Sequence, residues 1–341
     1  MKQIDSTRIS IPKNFLSANP QIAYESIYGY FNGFDIDIQE TMYDYTLFLR
    51  KSDFAYCEDI SKGLLRLNIL PDSISDYCFI NASCCMCLSE NWLPYGWRVI
   101  TGQDIVAKNT AIIHIDDHSD LMKPFISIES GIYRNLLSNQ TANSLSVDFL
   151  KNAINTGAIT IGSMLTMIVF SLERFNIYHL KRNVEKKRLG IVKQAFLDPL
   201  IQNCERIGID FIDDCSGPAY FLTSSVDEIV SNLNGEEQCV LHIDMDYFNN
   251  RYNGSTSWEI DNIGKNYSLD EQKHRMVEIA KALESINNTI PIKYILIGIS
   301  PSFYPSEYWE EGLCFLLKSL YKSGISVLPL LRNFGWDTND E

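Results

Sequence analysis

The sequence predicts an α/β fold with a mostly parallel central sheet and helices on both of its faces. Three strong apolar strands, at 111–116, 238–248 and 292–300, alternate with segments of helical periodicity, an order typical of parallel sheets covered by helices. No Pro-, Gly- or Ser-rich linker and no block of charge divides the 341 residues. We therefore expect a single domain over 1–341, with residues 1–74 as an N-terminal elaboration packed on it.

The clearest helix is predicted at 268–286. Ser268 and Glu271 have the spacing of a capping box, and an apolar stripe follows them. The segment 158–170 is apolar nearly throughout and fits either a strand or a buried helix. The other predicted elements are a short strand at 75–81, a turn and helix over 84–101, helices at 145–156, 226–233 and 307–324, and a strand at 325–331.

Two charged segments are interpreted without a function. Asp35 and Asp37 form a DxD pair that follows Gly33 and leads into no long apolar strand, which favours a turn or a surface edge. The basic run at 181–189 is typical of a solvated helix or loop.

The bulk composition excludes several classes of protein. A net charge of −14 argues against a nucleic-acid binder, which needs a basic face, although it suits a cationic substrate. The chain has neither a secretory signal nor an apolar run long enough for a membrane span. Its nine cysteines include no pair of CxxC motifs, which favours buried, reduced thiols over a zinc knot. We expect a soluble cytoplasmic protein, and a homo-oligomer stays open.

Two strand ends carry metal-capable side chains. Asp116, His118 and Asp120 follow the first strong strand at alternate positions, so in extended geometry they project to one face. Asp244 and Asp246 repeat the pattern at the end of the second strand. In parallel sheets, ligands bind beyond the carboxyl ends of strands. The sequence therefore predicts one site that gathers these five side chains.

The ligand types indicate which metals the site takes. Carboxylates and imidazole without thiolate suit a hard or borderline cation such as manganese, magnesium or zinc. Five ligands, four of them carboxylates, exceed what one catalytic zinc usually takes. They fit two metals that share bridging carboxylates and ionise a water between them.

These motifs resemble those of a known family. DDHSDL and HIDMDYF resemble the two metal-binding signatures of the ureohydrolase superfamily, which includes arginase and agmatinase. HIDDHSDLMKP, DMDYF and ENWLPYGW are more similar to the branch of peptide arginases, which convert arginine side chains of ribosomally made peptides into ornithine. The order of strands and helices extends the resemblance over 75–332. It implies an arginase-like, three-layer α-β-α domain and an arginine-containing precursor peptide as the partner.

The resemblance also implies a role for each ligand. Asp116 and Asp244 would each bridge two Mn²⁺ ions, Asp120 would complete one ion, and His118 and Asp246 would complete the other. A hydroxide held between the ions, with Asp116, His118 and Asp244 as the catalytic ligands, would attack the guanidinium carbon. The products would be urea and ornithine.

The sequence departs from the family at two positions. The family's arginases take a further ligand from a histidine upstream of the first motif, but no histidine precedes His114 here. Glu90 is the leading replacement, with Ser89 or water as weaker candidates. Small-molecule arginases also place a guanidinium-binding carboxylate where this chain has Gly298. Glu307 is the candidate substitute, and the glycine would leave room for a bulkier peptide substrate.

Two histidines and several functions stay open as alternatives. His114 and His242 each precede a ligand by two residues, so each is either a partner that orients a carboxylate or a core histidine. His179 and His274 are the remaining candidates for a proton shuttle. The alternative functions are a small-molecule amidinohydrolase, a metal-dependent deacetylase and a catalytically impaired metal-binding module. The likeness of HIDMDYF to a polymerase motif is discarded, because that motif occurs early in basic chains.

Overall fold

The fold is built around a large mixed β-sheet. The computed structural model describes residues 7–52, 55–102, 108–201, 204–233, 235–261 and 265–337. The strands are β1 Thr7–Pro12, β2 Phe34–Glu40, β3 Asp44–Lys51, β4 Cys78–Ile80, β5 Cys84–Cys87, β6 Thr110–Ile115, β7 Ile126–Glu129, β8 Ile132–Asn135, β9 Thr141–Ala142, β10 Phe175–Leu180, β11 Lys187–Leu197, β12 Glu205–Ile212, β13 Ala219–Thr223, β14 Gln238–Asp244 and β15 Ile292–Gly298. The helices are α1 Pro20–Tyr30, α2 Ser61–Arg66, α3 Leu93–Thr101, α4 Val147–Asn155, α5 Met164–Phe170, α6 Val226–Asn232, α7 Trp258–Asp261, α8 Leu269–Thr289, α9 Trp309–Lys322 and α10 Leu328–Asn333. Short 3-10 turns lie at Lys13–Phe15, Pro71–Ser73, Glu90–Trp92, Ile161–Ser163, Met245–Tyr247 and Ser306–Tyr308.

In the described residues the central sheet has nine strands, in the order β12-β11-β13-β10-β6-β14-β15-β5-β4. The six consecutive strands from β13 to β5 run parallel to one another. Antiparallel strands lie at both edges, β4 at one and β11 with β12 at the other. The predicted mixed α/β class with many parallel strands is confirmed.

Both faces of the sheet are buried. Along β6, Ile112 belongs to the apolar cluster that contains buried residues of α3, α4 and α5. Its neighbour Ile113 belongs to the cluster that contains residues of α8, α9 and α10. Every residue of β6 is buried, which explains why the strand reads as one continuous apolar run.

Two smaller sheets flank this core. One has the order β1-β3-β2, and the other has the order β7-β8-β9. Ile11, Phe31 and Leu47 of the N-terminal segment lie in the same apolar cluster as Phe125, and the Phe31 and Phe125 rings stack with centroids 5.6 Å apart. The N-terminal elements therefore share buried surface with the region that follows β6.

Most of the predicted elements that frame the site are confirmed. The strong strands are β6, β14 and β15, and the predicted helices correspond to α3, α4, α6, α8 and α9. Ser268 and Glu271 form the predicted capping box of α8. Asp35 and Asp37 are exposed residues of the edge strand β2, which confirms the interpretation as a surface edge. No helix in the described segments is long and apolar enough to cross a membrane.

Three local predictions need correction. The segment 325–331, predicted as a strand, contains the start of α10, and Pro329 lies in its first turn, where the missing N–H costs no hydrogen bond. The segment 84–101, predicted as a turn and helix, begins instead with the buried strand β5. The basic run forms the predicted loop only over 181–186, because its last three residues, 187–189, begin the long strand β11. The undecided segment 158–170 ends in the helix α5.

Candidate metal centre

The candidate ligands converge because β6 and β14 are neighbouring parallel strands. His242 lies opposite His114, and Ile243 lies opposite Ile115. Continuing this register places Asp244, the last residue of β14, beside Asp116, which follows β6 directly. Two carboxylates are thus brought together at the carboxyl edge of the sheet.

The acidic and histidine side chains form three groups that share Asp116. Ligand atoms of Asp116, His118 and Asp246 lie within 4.8 Å of one another, and groups with the same spacing consist of Asp116, Asp120 and Glu90 and of Asp116, His114 and His242. Each of these groups could hold a metal ion, whereas Asp244 belongs to none of them.

Hydrogen bonds from the protein fix the two strand-end carboxylates. The backbone N–H of His118 donates to Asp116 Oδ1 at 2.6 Å, and the N–H of Asp246 donates to Asp244 Oδ1 at 3.1 Å. The Ser300 hydroxyl donates to Asp244 Oδ2 at 2.8 Å. These contacts orient the carboxylates before any cation binds.

The buried oxygens that face the centre fit a cation. In the described structure, Oδ2 of Asp116 and Oδ2 of Asp120 are buried and accept no hydrogen bond, an arrangement that is costly without a positive partner. Burial, with repulsion between neighbouring carboxylates, raises the pKa of Asp116, Asp244 and Glu90 well above the usual range. Burial raises the pKa of Asp120 to about 6. A divalent cation would relieve both the unmet hydrogen bonding and the repulsion.

The His118 ring is held in the orientation of a ligand. Its Nε2 lies 3.0 Å from Asn253 Oδ1, which can only accept, so this nitrogen carries a proton. Its Nδ1 lies 2.9 Å from Asp246 Oδ2. Burial alone would lower the pKa of His118, but the hydrogen bond and the charge of Asp246 raise it to about 10. The Nδ1 proton thus stands where a cation would replace it.

A buried chain of histidines leads to Glu90. His114 Nε2 lies 3.0 Å from the carbonyl oxygen of His118, so it donates, and the other nitrogen of a neutral His114 accepts. The two Nδ1 atoms of His114 and His242 are 2.7 Å apart, which makes His242 Nδ1 the donor. His242 Nε2 then accepts at 2.9 Å from Glu90 Oε1. Burial lowers the pKa of both histidines, so both are neutral. The proton between His242 Nε2 and Glu90 Oε1 therefore belongs to the Glu90 carboxyl group in the metal-free protein.

His179 is not available as a proton shuttle, because both of its ring nitrogens form hydrogen bonds inside the protein. His179 is 1% exposed, and its Nε2 donates to the carbonyl oxygen of Asp116 at 3.0 Å. Its Nδ1 accepts from the Tyr220 hydroxyl. Both ring nitrogens are therefore engaged inside the protein. His274, the other histidine considered for this role, is exposed on α8 and pairs with Glu278.

Left-handed backbone conformations cluster at the centre. Asp120, Asn253, Ser300 and Ser302 have φ values of 50°, 47°, 54° and 71°, although none of them is glycine. Such conformations cost of order 1 kcal/mol or more each, and they concentrate where function requires them. Here they aim Asp120 at the centre and place Asn253 and Ser300 against ligand side chains.

The two positions that depart from the family motifs meet at one side chain. A Cβ added at Gly298 would lie 2.7 Å from Cδ of Glu90. Glu90 therefore fills the space above Gly298, and the expectation that this glycine leaves room for a bulkier substrate is wrong. Glu307, the candidate guanidinium carboxylate, forms a two-point ion pair with Arg251 at 2.7 and 3.1 Å, and its side chain is half exposed.

Several contacts of the ligands were missed by the sequence analysis. Ser300 follows the end of β15, so the rule of strand ends could have found it. Asn253 belongs to a loop with no periodic signal. Phe303 lies edge-on to the His118 ring at a centroid distance of 5.3 Å.

The centre opens to solvent on the side of His118. The His118 side chain is 35% exposed, whereas those of Asp116 and Asp246 are fully buried. A cavity of about 230 Å³ adjoins Asp246, and its lining includes Asp117 and three basic residues, Lys181, Arg182 and Lys265.

Comparison with known proteins adds no identification. No protein-family model matches the sequence, and no curated protein matches it either. The function is therefore inferred from the chemistry of the centre and from the motifs that compose it.

Proposed function

We propose that this protein is a manganese-dependent hydrolase that converts arginine residues of a peptide into ornithine and urea. The observation that carries the proposal is that Asp116 is shared by the group with His118 and Asp246 and by the group with Asp120 and Glu90, because one carboxylate could serve two neighbouring divalent cations. The motifs HIDDHSDLMKP and ENWLPYGW support the peptide substrate through their resemblance to peptide arginases. The proposal includes an arginase-like, three-layer domain, supported by the helices packed on both faces of the sheet.

Each side chain of the centre has an assigned place in this proposal. Asp116 and Asp244 would be the carboxylates available to both cations. His118 and Asp246 would hold one cation, and Asp120 with Glu90 would hold the other. When bound, the two cations supply an ionised water as the nucleophile and stabilise the charge that develops on the attacked guanidino group.

The chain's own groups keep this arrangement in place. Asp244 is fixed by the Ser300 hydroxyl, and the His118 ring is fixed by Asn253. Because these contacts already hold the carboxylate and the ring, neither group would have to reorient when a cation binds. The excess of carboxylates also favours a cationic guanidinium over a neutral substrate.

Glu90 accounts for both departures from the family motifs. It belongs to a ligand group with Asp116 and Asp120, which supports its role in place of the missing upstream histidine. It also fills the space above Gly298, where small-molecule arginases have a carboxylate. The loss of a carboxylate at that position is thus compensated in space by Glu90, while the carboxylate of Glu307 is engaged by Arg251.

The deacetylase alternative has less support. Deacetylases would need a histidine pair that reaches the substrate as acid and base. The close pair here is His114 with His242, both fully buried, and their Nδ1 atoms face each other. Neither ring is free to exchange a proton with a bound substrate.

Mass spectrometry of a modified peptide tests the proposal. The purified protein, freed of metal and reloaded with Mn²⁺, is incubated with an arginine-containing peptide. Each conversion consumes one water and releases urea, so the peptide loses the mass of CH2N2. The matched peptide with lysine in place of arginine and the Asp244→Asn variant serve as controls.

The competing functions predict different outcomes of this assay. Turnover of free arginine or agmatine without turnover of peptides would assign a small-molecule amidinohydrolase. Deacetylation of an acetyl-lysine peptide, with the arginine peptide unchanged, would assign a deacetylase. Binding of manganese without any turnover would favour the impaired metal-binding module.

A further inference from the structure

Three cysteines converge at the β4 edge of the sheet. The Sγ atoms of Cys78, Cys85 and Cys87 are separated by 3.1 Å (78 to 87), 3.5 Å (78 to 85) and 3.6 Å (85 to 87). Cys85 and Cys87 are fully buried, and Cys78 is partly exposed. This cluster is separate from the carboxylates of the metal centre.

The antiparallel pairing of β4 with β5 brings the three thiols together. Cys78 lies opposite Cys87. The backbone bonds of the flanking pairs, from Asn81 N to the oxygen of Cys84 and from Leu88 N to the oxygen of Tyr77, make this a non-hydrogen-bonded pair. Side chains approach most closely in such pairs. Cys85 is two residues from Cys87 along β5, and therefore projects to the same face.

We propose that Cys78, Cys85 and Cys87 form a binding site for a soft d10 metal ion, zinc or monovalent copper. A triangle with no side longer than 3.6 Å has a centre at most about 2.1 Å from each corner, which is less than the metal–sulfur distance of about 2.3 Å. One ion slightly above the plane of the sulfurs can thus contact all three. Thiolates select soft cations over manganese.

Binding is an exchange of protons for metal–sulfur bonds. Each thiol that coordinates loses its proton to solvent, and no oxidation state changes. Cys78 is the partly exposed member of the cluster, so it is the thiol that an incoming ion meets first.

The location gives such an ion a structural role. Cys87 pairs with Gly298 on the neighbouring strand β15 and precedes Glu90 by three residues. The ion would join the edge strand β4 to β5, and so fix the segment that carries Glu90 into the metal centre. The site does not depend on the proposed hydrolase activity.

Cadmium absorption tests this site directly. The reduced, metal-free protein is titrated with Cd²⁺, which gives a sulfur-to-metal charge-transfer band that carboxylates cannot produce. We expect the band to saturate at one Cd²⁺ ion per chain. Addition of Zn²⁺ or Cu⁺ should displace the Cd²⁺ and remove the band. Cys78→Ser should weaken binding at least tenfold, as should Cys85→Ser. Cys84→Ser, on the opposite face of β5, should keep the affinity of the wild type.

Three results would overturn the proposal. The first is a wild-type protein without the charge-transfer band, and the second is an unchanged affinity in folded Cys78→Ser and Cys85→Ser. The third is a Cys78–Cys87 disulfide that persists in protein isolated under reducing conditions. Manganese binding is measured on the same Cys78→Ser sample. This measurement tests the carboxylate centre separately, so a failure of the thiol site and a failure of the carboxylate centre can be told apart.

Discussion

At the scale of single residues, Asp120 shows that a buried carboxylate suited to a metal ion destabilises the metal-free protein. Burial raises its pKa from 3.8 to about 6, so folding favours its protonated form. This contribution to stability is complete below pH about 3.8 and is lost as the pH rises through about 6. Asp120→Asn removes the titration and should raise the melting temperature of the metal-free protein at pH 8 more than at pH 5.

The same variant should lose much of the stabilisation that Mn²⁺ gives to the wild type, because an amide is a weaker ligand than a carboxylate. Thermal melting in a chelator and in excess Mn²⁺ measures both effects. Asp213→Asn, at an exposed site, is the matched control and should change neither. An equal effect of Asp120→Asn at both pH values would contradict the raised pKa.

Glu90 provides a second test, because its two roles respond to different substitutions. In Glu90→Gln the amide N–H can replace the acid O–H as donor to His242 Nε2, so the metal-free protein should keep its free energy of unfolding. Glu90→Ala leaves that buried nitrogen unpaired and should cost about 1–3 kcal/mol. Urea denaturation of both variants in a chelator distinguishes the two cases.

Both Glu90 variants should weaken manganese at one of the two positions, by roughly ten- to a hundredfold if Glu90 acts as a ligand or its close support. Unchanged manganese affinity in both variants would remove Glu90 from the ligand set. Equal stability of the two variants would contradict the proton assignment along the histidine chain.

The convergence of Asp116, His118, Asp120 and Asp246 was predictable from the sequence for a simple physical reason. Ligands at alternate positions after an apolar strand are a local pattern, and strand pairing alone brings two such patterns together. The contacts of Ser300 and Asn253 depend on loop geometry, which no local period encodes. The position of Glu90 above Gly298 depends on the packing of β5 against β15, which also lies beyond a local pattern.

At the scale of elements, the end of β15 leaves no room for a side chain beside Glu90. Gly298→Ala would place a methyl group against the Glu90 carboxylate, so either the strand or the carboxylate must move. We expect a loss of manganese affinity at least as large as in Glu90→Gln. Gly29→Ala, in α1 with open space around the added methyl, should leave manganese binding unchanged.

The result is read from manganese titrations of the two folded alanine variants. Wild-type affinity in Gly298→Ala would show that the space above β15 is not used by Glu90.

Two elements near the sheet were predicted incorrectly from the sequence. Residues 84–87 and 325–331 were misassigned, because short apolar runs fit strands and helices equally well, and tertiary packing decides between them.

At the scale of the whole molecule, the two apolar clusters explain why the site can be both acidic and rigid. The strands that carry the ligands are buried on both faces, so the carboxylates project from a scaffold that cannot yield to their repulsion. The order of alternating strands and helices made the α/β class predictable. The N-terminal sheet and the antiparallel edge strands β11 and β12 were not predicted, because their half-exposed patterns carry weak periodicity.

Equilibrium dialysis of the metal-free protein against Mn²⁺, followed by elemental analysis, tests the central claim of a two-metal centre most directly. We predict two ions per wild-type chain and one ion in Asp246→Asn and in Asp120→Asn, which affect different positions. Asp116→Asn, which alters the shared carboxylate, should bind neither ion tightly. A single ion per wild-type chain at saturating Mn²⁺, or two ions retained with full affinity in Asp116→Asn, would contradict the account.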